Sequence, residues 1–299
     1  MLEQDIDELK RNINAVIVAH NYQLPEVQDV ADFIGDSLEL AKRVVAVEAS
    51  VIVFAGVDFM AETAAILNPD KTTLIPSKKA TCELATYLNP QIIKRYQKRY
   101  PNAKTVLYVN STAEAKAMAD VICTSSNAVR IVEAMDSNEV LFGPDANLAR
   151  YVDKNTEKTV IPLPGKGHCY VHTYFDAEKI TNLKKKHGGE IMAHPECEEE
   201  IQKIADVIAS TGGMIRHVAE SKAKKFIVAT ERDMSYRLQK LYPDREFIPA
   251  WGDAICLGMK QINLQAIYNS LKYKRYVVKV DKQVAEKARR SVERMLELS

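Results

Sequence analysis

Three segments of this chain can be laid over one another, and a sequence that repeats at a fixed period of tens of residues builds each repeat as one packed supersecondary unit. VIVAHNYQLPEVQDVADFIGDS ends at Ser37, TVLYVNSTAEAKAMADVICTS at Ser125 and EIMAHPECEEEIQKIADVIAST at Thr211. In each, an Ala-Asp pair (Ala31, Ala119, Ala205) opens a short apolar run, and a hydroxyl residue follows six positions after the alanine. Eleven positions before that alanine stands His20, Tyr108 or His194. The second half of each unit holds an apolar strand, a helix and a strand running into Pro76, Pro162 or Pro249. A cysteine closes it: Cys82, Cys169 and Cys256, 87 residues apart.

Short β-branched runs alternate with helical periodicity throughout, as in VIVAH (16–20), VIVFAG (51–56), VLFG (140–143) and FIVAT (226–230). That alternation predicts repeated βα units and parallel sheets. The fold expected is α/β, with three similar doubly wound parallel-sheet domains around a pseudo-threefold axis and ligands at the carboxyl ends of the strands. The units span 1–86, 87–173 and 174–260, followed by a helical tail over 261–299 that packs on repeat 1. The stretches 83–103, 170–189 and 257–275 are helical in period and are expected between domains, and Val284 to Ser299 reads as a closing amphipathic helix.

Composition narrows the function classes. With 41 basic against 40 acidic side chains, a net charge of +1 and 7% aromatics, no overall field promotes nucleic-acid binding. The longest apolar stretches, such as Ser50 to Val57, are strand-sized and far short of the roughly 20 residues of a membrane helix. The opening MLEQDIDELKRNINAVIV is acidic and amphipathic rather than basic and then apolar. It predicts a cytoplasmic protein, without a membrane or nucleic-acid partner. Five widely spaced cysteines then point to buried thiols or metal ligands, not to a disulfide framework. Neither GxxxxGK[ST] nor GxGxxG occurs, so nucleotide use finds no support.

Three cysteines in one repeated column would converge on the axis as three sulfur ligands with one vacancy, the pattern of a catalytic metal centre. Packing alone supplies no reason for the period. Cys123 and Cys197 fall in other columns and read as small buried hydrophobes. Sulfur donors suit zinc or an iron–sulfur cluster and do not choose between them. His168, beside Cys169, reads either as a fourth ligand or as a supporting histidine.

Ser37, Ser125 and Thr211 stand between a strand and a helix. They read as N-caps worth about 1 kcal/mol each, or, facing one axis, as a cluster of hydroxyls and backbone N–H groups for a small polyanion. His20, Tyr108 and His194 end the first strands, with Tyr22, Asn110 and Glu196 two positions on and on the same face. Acid–base groups therefore meet the thiols at one end of the sheets, a combination that favours chemistry. The lysines at 184–186 and 222–225 read as solvated faces.

The motifs AHNYQLPEVQDVADFIGDS, GVDFMAET, LYVNSTAEAKAMADVICTSSNAV, GPDANLARYV, GHCYVH, HPEC and ASTGGM resemble, in sequence and spacing, those of quinolinate synthase of the short archaeal or thermophilic type. The resemblance runs from about residue 14 to Met259 and continues through the tail. It implies a transferase of pyridine nucleotide and NAD biosynthesis that condenses iminoaspartate with dihydroxyacetone phosphate to quinolinate, releasing phosphate and water. It also implies one 4Fe-4S cluster per chain on Cys82, Cys169 and Cys256, whose open iron is expected to act as a Lewis acid.

The substrate-binding residues implied are His20, Ser37, Tyr108, Val109, Asn110, Ser125, His194, Pro195, Glu196 and Thr211. Glu196 and Tyr22 are the expected proton-transfer groups, His20 and His194 orient or assist, and Phe59 and Met60 read as site wall or core. The partners expected are the two small-molecule substrates and a transient contact with the enzyme that produces iminoaspartate. The C-terminal CxxCxxC of some bacterial members is missing from this sequence, so a redox switch built on it is not expected. Read from the repeat alone, two other classes stay open: a metal-bearing protein that captures a dicarboxylate without converting it, and a repeat scaffold with no metal.

Overall fold

In the computed structural model, which describes residues 2–299, the β-branched runs pair into three four-stranded sheets. The first holds β1 (Ala15–His20), β2 (Phe33–Gly35), β3 (Val51–Ala55) and β4 (Thr72–Leu74). The second holds β5 (Lys104–Tyr108), β6 (Val121–Cys123), β7 (Glu139–Gly143) and β8 (Thr159–Pro162). The third holds β9 (Glu190–Ala193), β10 (Val207–Ile208), β11 (Lys225–Ala229) and β12 (Glu246–Pro249). In every sheet the spatial order is second, first, third, fourth, and all neighbours run parallel. The three similar α/β units expected from the repeat are present.

Helices cover both faces of each sheet, so the first strands read as continuous apolar runs. Ile17, Val18 and Ala19, then Val106 and Leu107, then Met192 and Ala193 have no exposed surface. The Ala-Asp pair has a structural cause. Asp32, Asp120 and Asp206 each accept the backbone N–H fifteen positions earlier, of Ile17, Thr105 and Ile191, at 2.7 Å in all three. A charge-assisted bond thus ties the entry of the second strand to the start of the first.

β8 and β12 include Pro162 and Pro249, whereas β4 ends at Leu74, two residues short of Pro76. All three are edge strands, where a missing N–H removes no ladder bond. The outer edge of β4 is covered by the tail: Ile75 and Tyr276 exchange backbone hydrogen bonds of 2.9 and 3.0 Å, and the Val278 N–H donates to the Thr73 carbonyl at 2.9 Å.

After each cysteine comes a short helical turn and then a longer helix: Pro90–Arg99, Ala177–His187 and Leu264–Tyr273. Of these helices, expected between domains, Pro90–Arg99 packs on the second unit, Ala177–His187 on the third and Leu264–Tyr273 on the first. Their amphipathic faces seat Ile93, Ile180 and Ile267 without exposure or nearly so. Ala177–His187 lies on β11, and Leu264–Tyr273 returns to Leu2–Asn12 and β3 of the first unit. The tail, expected on the first repeat, divides its contacts. Leu264–Tyr273 lies on that repeat, while the closing helix Lys282–Glu297 rests on Asp58–Leu67 of the first unit and on β6 and Ala113–Lys116 of the second. Val292 and Met295 are fully buried there. No helix among the described residues is long and apolar enough to cross a membrane.

Candidate active site and metal centre

Parallel βα units place their functional loops at the carboxyl ends of the strands, and here residues from the three sets of loops line one shared cavity. His20, Tyr22, Ser37, Tyr108, Asn110, Ser125, His194, Glu196 and Thr211 all line it, together with Cys82, Cys169 and Cys256. Phe59 and Met60 form part of the wall. Two sequence-predicted residues lie elsewhere. Val109 faces a small apolar pocket behind the cavity, and Pro195 is buried with its carbonyl accepting from Gln202 Nε2 at 3.0 Å. His168 lines an outer groove and holds the Lys166 carbonyl at 3.1 Å from Nδ1.

The N-cap reading of the three hydroxyls is corrected by the helix starts. Asp36 caps Ser37–Ala46 and Ser210 caps Thr211–Glu220, while Asn127 precedes Ala128–Glu133. An aspartate or serine one position upstream satisfies the first N–H groups, which leaves the predicted hydroxyls free for other partners. Ser125 Oγ lies 3.1 Å from His194 Nε2, and Thr211 Oγ1 accepts from Asn21 Nδ2 at 2.9 Å. Alongside, Ser126 and Ser210 donate to Asp36 Oδ2 at 2.7 and 3.2 Å, so all three units meet at one carboxylate oxygen.

The acid–base groups form a connected set. Tyr22 Oη lies 2.5 Å from Thr230 Oγ1, and Thr230 Oγ1 lies 2.9 Å from His172 Nε2. His172 Nδ1 and His194 Nδ1 approach Glu196 Oε2 at 3.3 and 3.1 Å. The other carboxylate oxygen, Oε1, is buried with no hydrogen-bond partner among the described residues. Buried polar atoms are rarely left so in the absence of a ligand or water.

Burial, which disfavours charge, pushes His172 down to about 3 and His20 down to about 4, so both imidazoles are neutral near pH 7. The Glu196 carboxylate faces Nδ1 of His172, and the Thr230 hydroxyl bridges its Nε2 and the Tyr22 phenol. Burial and the nearby Glu196 raise the Tyr22 phenol well above its usual value and keep it protonated. For Glu196, burial works upward, but His172 and His194 closing on the carboxylate hold it below the ordinary range.

The three repeated cysteines are half-buried and open toward the cavity, whereas Cys123 and Cys197 have no exposure. Cys197 instead donates its thiol to the Ala229 carbonyl at 3.4 Å. Burial raises the Cys82 thiol, as does the proximity of Cys256; Cys169 is raised by burial, by Glu196 and by both other thiols. Three thiolates on one cavity wall need a compensating positive centre, and soft thiols in a shared cavity are a donor set that fits an iron–sulfur cluster. A second grouping is also present: Cys169, His172 and Glu196 bring ligand atoms within 4.8 Å of one another.

Asp36, Thr124, His172, Glu231 and Met259 also line the cavity and were not singled out by the sequence. Of these, His172 carried a signal, since it ends the GHCYVH motif three positions after Cys169.

The family model described as quinolinate synthetase A protein matches residues 4–297. A quinolinate synthase of Pyrococcus furiosus is 58% identical over 299 residues, covering 100% of this chain and 98% of its own. Quinolinate synthases of Methanothermobacter thermautotrophicus and Thermotoga maritima are 52% and 45% identical, and the alignments span 100% and 98% of this chain and 98% of each relative. A match that runs almost end to end, over the repeat, the cysteine column and the tail alike, leads to one conclusion: this chain belongs to the quinolinate synthase family.

Proposed function

We propose that the protein is a cytoplasmic transferase that condenses iminoaspartate with dihydroxyacetone phosphate to quinolinate, releasing phosphate and water. Cys82, Cys169 and Cys256 would hold a 4Fe-4S cluster. The observation that carries this reading is the shared cavity wall: one thiol per unit beside Glu196, the strand-end histidines and the three hydroxyls. When bound, the cluster would supply an open iron position acting as a Lewis acid toward a substrate oxygen or nitrogen.

The chain's own residues account for the rest. Both substrates are anionic, and the hydroxyls and imidazoles on the cavity wall are the donors that would meet carboxylate or phosphate. Ser37, Ser125 and Thr211 add hydroxyl donors, and His20, Tyr108, Asn110 and His194 orient the dicarboxylate. Glu196 presents an unpartnered oxygen to take a proton from carbon. Tyr22, kept protonated, gives a proton to a departing hydroxyl, which leaves as water, and the phenolate takes its proton back from solvent. Val109 and Pro195 would act only through the backbone of the loops they belong to. The expected partners are the two substrates and a transient contact with the enzyme that produces iminoaspartate.

Anaerobically purified protein should contain iron and sulfide in equal amounts and form quinolinate from the two substrates. Cluster without turnover would favour a dicarboxylate-binding protein. The Cys169–His172–Glu196 grouping supports a second reading, a single bound ion, and metal without sulfide would select it.

A further inference from the structure

The cysteine column is accompanied by a second threefold pattern, of carboxylates. Asp58 Oδ1 accepts the Cys82 N–H at 3.2 Å, Asp145 Oδ2 accepts the Cys169 N–H at 3.1 Å, and Glu231 Oε1 accepts the Cys256 N–H at 3.3 Å. Each carboxylate lies 24 or 25 positions before its cysteine. Each also holds the start of the helix after the third strand of its sheet: Asp58 takes the Phe59 N–H at 2.8 Å, Asp145 the Leu148 N–H at 2.7 Å and Glu231 the Asp233 N–H at 2.9 Å.

A backbone pair runs in parallel. The carbonyls of Ala80, Gly167 and Ala254, each two residues before a cysteine, accept from the N–H groups of Asp58, Ala146 and Arg232 at 2.8, 2.8 and 2.9 Å. Each cysteine lies outside the strands and helices, and these bonds tie its loop to the start of the helix after the third strand. Asp145 and Glu231 have no exposed surface, and a buried acceptor that spans helix start and loop is satisfied only in this one arrangement.

We propose that Asp58, Asp145 and Glu231 are positioning residues for the metal centre, one per unit, each pinning the loop that delivers its sulfur to the axis. This rests on the reading of Cys82, Cys169 and Cys256 as cluster ligands. Groups that support ligands from behind commonly change metal affinity 10–100-fold when removed, which sets the size of effect to look for.

The test is the rate at which reconstituted, anaerobic protein loses iron to an excess of a chelator, followed by visible absorption, with iron and sulfide content and the melting temperature of the cluster-free protein measured in parallel. Asp145→Ala and Asp58→Ala are each expected to speed release about tenfold or more, and Asp58→Asn, whose one carbonyl oxygen can still accept both bonds that Asp58 Oδ1 accepts, to restore most of the difference. Asp120→Ala is the matched control. It removes the same type of carboxylate-to-backbone bond in the same unit, but at the amino end of the sheet, and should lower the melting temperature without speeding release. Equal release from Asp145→Ala and the unaltered protein would overturn the proposal, as would equally fast release from Asp120→Ala. If Asp145→Ala does not fold, Asp58→Ala and Asp58→Asn carry the same comparison. An unaltered protein that binds no iron and sulfide would instead bring down the cluster reading itself.

Discussion

Tyr22 of the first unit and Thr230 of the third meet across the cavity, phenol oxygen to hydroxyl oxygen at 2.5 Å, and Thr230 passes the contact on to His172 at 2.9 Å. The pair joins two units at the phenol proposed above as the proton donor. Replacing Tyr22 with Phe keeps the ring and removes the hydroxyl, and with it the contact to Thr230. A fall in kcat of about 10²–10⁴ is expected from loss of a general acid, with KM changed far less; Thr230→Val should reproduce part of that loss. An unaltered kcat for Tyr22→Phe would reduce the residue to a wall.

Glu196 is expected to act on the reacting carbon rather than on binding. Glu196→Gln keeps shape and one carbonyl oxygen but cannot take the proton, so kcat should drop at least a hundredfold on the same scale. Steady-state kinetics decide: a higher KM with kcat preserved would move Glu196 to a binding role.

The two classes of cysteine should separate cleanly. Cys256→Ala removes a cavity thiol and should give colourless, inactive protein, whereas Cys197→Ala removes a thiol packed against the Ala229 carbonyl and should retain colour and activity. The latter leaves a small void and one lost weak hydrogen bond, with a stability cost of about 1–2 kcal/mol. Matching iron contents for the two variants would refute the division.

Acid should destabilise the cluster-free protein through its buried histidines. His172 is held to about 3 and His20 to about 4 by burial, so between pH 6.5 and those values the unfolded chain binds protons that the folded chain refuses. The stability they allow is complete above pH 6.5 and falls as pH drops, by about 1.4 kcal/mol per pH unit for each histidine. Relative to the unaltered protein, His172→Gln should therefore gain about 2 kcal/mol between pH 6.5 and 5. Urea unfolding at the two pH values measures the difference; parallel curves would mean that His172 already carries its proton when folded.

The chain's own order of residues determined the architecture and the column of cysteines that lines the cavity. A period of 87 residues, the Ala-Asp pairs, the strand-end histidines and the three recurring cysteines are local or periodic features, and each has a direct physical reading: Asp32, Asp120 and Asp206 recur because every first strand needs the same tie. Only the tertiary structure decided what a given side chain touches. Ser37 and Thr211 look like helix caps until Asp36 and Ser210 take that place one residue earlier. His172 acquires its role from Thr230, 58 residues away, and from Glu196 in another unit. Its low proton affinity arises from burial. Contacts between units depend on how three sheets are set around one axis, and burial depends on everything that closes over a group; neither quantity is written in the spacing of residues along the chain.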